Sequence, residues 1–100
     1  MGQRGRSIAR GRTRRDNNEP DIVEALESMP GVTVVPLDSP SDLLVGRNGV
    51  NLLLEVKDPA KPPSSRALTP TQRKFFDAWK GQVDVVFTAA QAKALVLEKT

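Results

Sequence analysis

Two acids and a lysine in the middle of the chain have the residue types and the spacing for chemistry with a bound cation. Glu55 and Lys57 are separated only by Val56, and Asp42 precedes them by about one hairpin. Carboxylates are ligands that hard cations such as Mg²⁺ prefer, and a lysine amine can orient a nucleophile or stabilise developing charge. The trio is therefore a candidate site for a divalent cation.

The composition excludes the main competing chemistries. The chain contains no histidine, cysteine or tyrosine. Their absence excludes Ser-His-Asp and Cys-His catalysis, zinc sites built from thiolates or imidazoles, and a tyrosine nucleophile acting on DNA. The chemistry that remains uses carboxylates, amines, hydroxyls and a metal bound through oxygen.

A hairpin is expected to bring the two acids together. Asn48-Gly49 lies between two apolar runs, and both residues tolerate the positive φ of a type I′ turn. A two-residue turn there carries Asp42 opposite Glu55, where like charges destabilise a sheet unless a cation lies between them. The alternative is a surface ion-pair cluster in which both acids share Lys57.

The elements around this hairpin predict an α/β fold in which helices pack on a mixed sheet. Thr69 and Pro70 are typical of a helix start, and Phe75, Phe76 and Trp79 form an apolar stripe that we expect in the core. The predicted order is α-β-β-β-α-β-α, with helices at 20–29, 70–80 and 89–96, strands at 32–35, 43–45, 52–56 and 83–87, and a loop at 58–68.

Charge is concentrated at the start of the chain. Residues 1–15 contain six arginines and no acid, and the other 85 residues carry a net charge of −3. We predict a disordered basic arm at 1–15 that contacts a polyanion, or alternatively acts as a solubilising tail, before a single domain at 16–100. The arm lacks the apolar centre of a secretory signal, and no apolar run reaches the roughly 20 residues of a bilayer span. We therefore expect a cytoplasmic protein.

The acids and lysine also carry a family resemblance. Ser41-Asp42, followed after a hairpin by Glu55-Val56-Lys57, resembles the PD-(D/E)XK nuclease superfamily, and most closely its small VRR-NUC type, found alone in phages and bacteria. The resemblance implies a restriction-endonuclease-like α-β-β-β-α-β core, here with a short C-terminal helix. Ser41 stands where that family has a proline, a departure that concerns backbone shape more than chemistry.

The resemblance also implies roles for individual residues. It implies that Mg²⁺ or Mn²⁺ is held by Asp42, Glu55, the Val56 carbonyl and Glu19, and that catalysis uses Asp42, Glu55, Lys57 and Gln72. Two of these residues have a simpler explanation. Glu19 at a helix start interacts favourably with the helix dipole, and Gln72 completes a capping box with Thr69.

The implied activity is that of a metal-dependent DNA endonuclease. The resemblance implies that the substrate is a four-way (Holliday) junction or other branched DNA and that the enzyme is a homodimer. It also implies that the enzyme works in the cytoplasm of a bacterial or phage-infected cell. The alternative is a catalytically inactive DNA-binding or interaction module on the same fold. Basic residues that could contact DNA phosphates are Arg10, Arg12, Arg14, Arg15, Arg66, Arg73 and Lys74.

Overall fold

Four strands form one mixed sheet in the order β1-β2-β3-β4, and helices connect and cover them. The structure, a computed structural model, describes residues 16–100. The predicted basic arm at 1–15, with Arg10, Arg12, Arg14 and Arg15, lies outside the described residues. The elements are α1 (Glu19–Glu27), β1 (Thr33–Pro36), β2 (Leu43–Arg47), β3 (Val50–Val56), α2 (Pro63–Arg66), α3 (Pro70–Ala78), β4 (Asp84–Val86) and α4 (Ala89–Lys99).

The β2–β3 hairpin has the predicted turn and register. Asn48 and Gly49 have φ values of 53° and 78°, the positive values that a type I′ turn requires. The pairing runs from Arg47 opposite Val50 to Leu43 opposite Leu54. Both strands are longer than predicted because they continue up to the turn on each side.

The other strands complete the predicted mixed sheet. β1 pairs antiparallel with β2, and β4 pairs parallel with β3, so that Glu55 lies opposite Val85. The connection from β3 to β4 contains α2 as well as α3, so the prediction of an uninterrupted loop at 58–68 was wrong. Pro63 suits the first turn of such a helix, because the missing amide would have no intrahelical partner there.

One face of the sheet and two helices enclose the core. The inward residues of β2 and β3 alternate along each strand, and Ile22 and Leu26 from α1 pack against them together with Ala92 and Val96 from α4. The full buried apolar set is Ile22, Leu26, Val32, Val34, Leu43, Val45, Leu52, Leu54, Val56, Val86, Ala92 and Val96. Leu44 and Leu53 on the opposite face are only half-buried.

Several element ends differ from prediction by a few residues. α1 begins one residue before Pro20 and ends at Glu27, ahead of the Pro30-Gly31 pair. The Met29 amide donates to the Leu26 carbonyl, a tighter turn than an α-helix allows, and this closes the helix early. β1 starts one residue later than predicted, β4 is shorter at both ends, and α4 continues three residues past Val96.

The prediction that the aromatic stripe lies in the core was wrong. None of the α3 residues is buried in the described structure, Phe75 and Phe76 are half-buried, and Trp79 follows the helix with 45% of its surface exposed. The core is closed by α1 and α4. The α3 residue Gln72 instead contacts Glu55, which projects from the sheet face opposite to that of Leu54 and Val56.

The side chain of Gln82 takes the place of a β4 residue beside Leu53, just before β4 begins. Its side-chain oxygen accepts from the Leu53 amide at 2.8 Å, and its side-chain nitrogen donates to the Leu53 carbonyl at 2.9 Å. β4 pairs with β3 only from Leu54 onward, so Gln82 satisfies the main-chain groups just before that point.

None of the helices among residues 16–100 has the length and apolar character needed to cross a bilayer.

Candidate active site

A cleft of about 530 Å³ opens where the segment before β2, the end of β3 and the start of α3 meet. Asp42, Glu55 and Gln72, three of the four residues predicted to be catalytic, line it together. Its remaining lining residues are Asp38, Ser39, Pro40, Ser41, Thr69, Thr71 and Phe75. The hairpin brings the two acids to this cleft, and the capping turn of α3 brings Gln72.

Asp42 is fixed by main-chain contacts to β3. Its amide donates to the Leu54 carbonyl at 3.1 Å, and its Oδ2 accepts from the Val56 amide at 2.8 Å. The regular ladder therefore ends at the Leu43–Leu54 pair, one step before the expected pairing of Asp42 with Glu55. Asp42 is only 4% exposed, so its carboxylate is largely shielded from solvent where it lines the cleft.

Glu55, Gln72 and Lys57 form a hydrogen-bonded network. The Gln72 side-chain nitrogen donates to Oε2 of Glu55 at 2.8 Å, and Nζ of Lys57 donates to Oε1 of Gln72 at 2.9 Å. Nζ of Lys57 also lies 3.9 Å from Oε2 of Glu55, a charge contact between two side chains that are 8% and 4% exposed. Gln72 thus joins the carboxylate and the amine of the E-x-K motif.

Gln72 makes the capping contacts as well as the contacts with Glu55 and Lys57. It forms the capping box with Thr69: its amide donates to Oγ1 of Thr69 at 3.2 Å, and its Oε1 accepts from the Thr69 amide at 2.9 Å. That oxygen also accepts from Lys57. Because both partners of Oε1 are donors, the side-chain nitrogen must face Glu55. The helix cap therefore orients the glutamine for the cleft.

The main chain of Lys57 is held from two further elements. Its amide donates to the Val86 carbonyl at 3.0 Å, and its carbonyl accepts from Nδ2 of Asn18 at 3.0 Å. The same Asn18 nitrogen donates to the Phe87 carbonyl at 2.8 Å. Asn18 makes no side-chain cap on α1. Sequence reasoning missed this bridge, because its partners lie 39 and 69 residues away.

Glu19 is buried at the start of α1 with 4% of its surface exposed, immediately after the Asn18 bridge. It is not among the residues that line the cleft. Within residues 16–100 no three acidic side chains are grouped closely enough to hold a metal ion. A role for Glu19 in metal binding therefore stays a prediction.

The donors at the cleft suit a hard cation. Asp42 and Glu55 supply two buried carboxylates, and Mg²⁺ is typically bound by one or two carboxylates together with waters and phosphate oxygens. In an extended strand the amide and carbonyl of one residue point to the same side, so the Val56 carbonyl faces the side on which Asp42 lies. Oγ of Ser41 is buried beside them and finds no hydrogen-bond partner among the described residues.

Three of the basic residues predicted to contact DNA, Arg66, Arg73 and Lys74, lie in or beside α2 and α3. Arg73 and Lys74 are exposed on α3, and Arg73 makes a surface ion pair of 3.7 Å with Asp77. Arg66 ends α2, and its Nε is buried without a hydrogen-bond partner in the described part of the chain. None of the three lines the cleft, so any contact with DNA would lie outside it.

No protein-family profile, curated protein or solved structure matches the chain at a significant level.

Proposed function

We propose that the chain is a metal-dependent endonuclease that hydrolyses phosphodiester bonds in DNA, as its resemblance to VRR-NUC-type PD-(D/E)XK nucleases implies. The single observation that carries the proposal is the convergence of two buried carboxylates with a lysine held by a glutamine. The strand order and the parallel β3–β4 pair support a restriction-endonuclease-like core.

In this proposal Asp42, Glu55 and the Val56 carbonyl hold Mg²⁺ or Mn²⁺. The bound cation would lower the pKa of water and neutralise negative charge on the phosphate. The protein's contribution is to keep the ligands in place. The Val56 amide fixes Asp42, and Gln72 fixes Glu55, so little side-chain freedom is lost when the cation binds.

Lys57 would act on the phosphate or on the attacking water. An ammonium group has three N–H donors, and Gln72 accepts one of them. The amine is buried and is held in place by Gln72. In such a low-dielectric site its charge would act strongly on a developing oxyanion.

A cleavage assay tests this function directly. The protein is incubated with Mn²⁺ and either plasmid, labelled duplex or a labelled four-way junction, and EDTA is added to a parallel sample. We expect metal-dependent cutting that Glu55→Ala and Lys57→Ala abolish while the circular dichroism spectrum is unchanged. Glu98→Ala and Lys93→Ala are matched controls, because both residues are exposed on α4. Full cutting by either site variant contradicts the assignment.

The same assay separates this proposal from the alternative of an inactive DNA-binding module. Such a module would bind the DNA in a mobility-shift experiment and leave every substrate intact with either metal. Retention of all three members of the D…E-x-K set favours cleavage.

The resemblance further suggests a homodimer that resolves four-way junctions, since one such site cuts one strand and a junction requires two cuts. Sedimentation that shows a monomer at micromolar concentration, with and without junction DNA, would contradict the dimer.

Deleting residues 1–15 should flatten the salt dependence of DNA binding if the arginines there contact phosphates.

A further inference from the structure

The aromatic cluster, defined as Phe75, Phe76 and Trp79, occupies an unexpected place. Phe75 and Trp79 stack with ring centroids 5.3 Å apart and planes 29° apart, and Phe75 meets Phe76 edge to face at 6.1 Å. Trp79 is 45% exposed, and none of the described α3 residues is buried. Phe75 also lines the cleft with Asp42 and Glu55. An accessible aromatic surface therefore adjoins the proposed active site.

The tryptophan ring is held in place by the residues that follow it in the chain. Its Nε1 donates to the Gln82 carbonyl at 3.0 Å. Gly81 lies so close that an added Cβ would come within 2.8 Å of the indole, so a residue with a side chain at this position would displace the ring. A ring fixed in this way can receive a flat partner with little further loss of conformational freedom.

The charges around the cluster show which partner fits. Arg73, Lys74 and Lys80 flank it as exposed cations, and Asp77, the acid nearest in sequence, pairs with Arg73. A second copy of the chain placed on this face by two-fold symmetry would bring like charges together, which disfavours that contact. A polyanion with exposed flat rings satisfies both the charge and the aromatic surface.

We propose that the aromatic cluster stacks an unpaired base of DNA whose backbone enters the neighbouring cleft. Bases within a duplex are already stacked on each other, so the cluster would select DNA with unpaired nucleotides beside the scissile phosphate, such as a flap or a single strand. This inference rests on the proposed nuclease function for what happens in the cleft, but base stacking itself requires no metal.

The chain offers a direct probe, because Trp79 is its only tryptophan and it has no tyrosine. The full chain in EDTA is titrated with oligothymidylate of about 15 nucleotides, with the matching duplex, and with inorganic polyphosphate. We expect the single strand to quench the Trp79 emission. Polyphosphate should bind without quenching, because it carries the charges but no bases. Equal quenching by polyphosphate and the single strand overturns the proposal.

Substitutions test the same contact independently of fluorescence. With labelled single-stranded DNA, Trp79→Ala should weaken binding about tenfold or more, and Trp79→Phe should retain part of the affinity. Leu97→Ala is the matched control, because Leu97 is a 57% exposed apolar residue on α4, and it should bind like the unaltered chain. Unchanged affinity of Trp79→Ala overturns the proposal.

Other outcomes are equally decisive. If Trp79 emission changes with protein concentration alone while sedimentation shows a dimer, a second copy covers the cluster and the proposal is wrong. Quenching by single strands in a chain that cuts no DNA would support the stacking surface and contradict the nuclease. Cutting without quenching would contradict the stacking surface and leave the nuclease intact.

Discussion

Oδ2 of Asp42 accepts a hydrogen bond from the amide of Val56 at 2.8 Å, so the acid side chain takes the position that a main-chain carbonyl of a longer β2 would occupy. A single carboxylate thereby ends the ladder and is presented to the cleft. Because one group has a structural and a proposed chemical role, substitutions must separate the two.

Asp42→Asn should separate them. The asparagine carbonyl can still accept from Val56, so we expect unfolding free energy within about 1 kcal/mol of the unaltered chain. Asp42→Ala leaves a buried amide without its partner and should cost about 1–3 kcal/mol. Both should lose metal-dependent cleavage, because neither supplies a negative charge to a cation. Urea denaturation and the plasmid assay measure the two effects; an Asn variant that still cuts would show that the charge is dispensable.

Substitutions of Thr69 and Gln72 should separate the stability of the helix cap from the contacts made at the cleft. Thr69→Ala removes the cap hydroxyl and should cost about 0.5–2 kcal/mol of stability, but it leaves the contacts of Gln72 with Glu55 and Lys57 available. Gln72→Ala leaves the main-chain bond to the Thr69 hydroxyl in place, but it removes the reciprocal half of the capping box together with the contacts to Glu55 and Lys57. We therefore expect Gln72→Ala to lose at least as much stability as Thr69→Ala, and much more cleavage. Equal cleavage rates would reduce Gln72 to a capping residue.

Ser41→Ala removes a buried hydroxyl that has no partner among the described residues. Deleting such a group relieves a desolvation cost, so the variant should be as stable as the unaltered chain or more stable by up to about 1 kcal/mol. Ser39→Ala, at an exposed position of the same cleft, is the control and should change little. Thermal denaturation of the two variants suffices, and a clear loss of stability in Ser41→Ala would reveal a bound partner for the hydroxyl.

Asn18→Ala breaks the bridge from the start of α1 to the ends of β3 and β4. Two carbonyls, those of Lys57 and Phe87, lose a donor, and we expect a cost of about 1–3 kcal/mol. The exposed neighbour provides the control, since Asn17→Ala should be close to neutral. Chemical denaturation distinguishes them; equal stability would mean that water replaces the bridge without loss.

Local signals in the sequence predicted the features that depend on neighbouring residues. The turn at Asn48-Gly49 set the β2–β3 register, because positive φ is required at both positions and the pairing follows from the turn length. The capping box at Thr69 and Gln72 likewise involves residues three apart. These features place Glu55 and Gln72 at the same cleft.

The features that were missed depend on distant residues. Helical spacing of Phe75 and Phe76 predicts one apolar side of α3, but not whether the sheet face beneath it belongs to the enclosed core. The Asn18 bridge joins residues far apart in the chain, and no local pattern distinguishes it from a helix cap. The roles of Glu19, Arg66 and Lys74 in binding remain predictions.

The side-chain amide of Gln82 has a further consequence. It carries the same donor and acceptor pair as a peptide unit, and by binding both main-chain groups of Leu53 it occupies a position where an extended segment of another molecule could otherwise join the sheet. A three-residue β4 together with Gln82 is therefore sufficient to satisfy this edge of the sheet. Replacing Gln82 with alanine would leave the Leu53 main-chain groups unpaired and promote aggregation, because a strand of another molecule could pair with them.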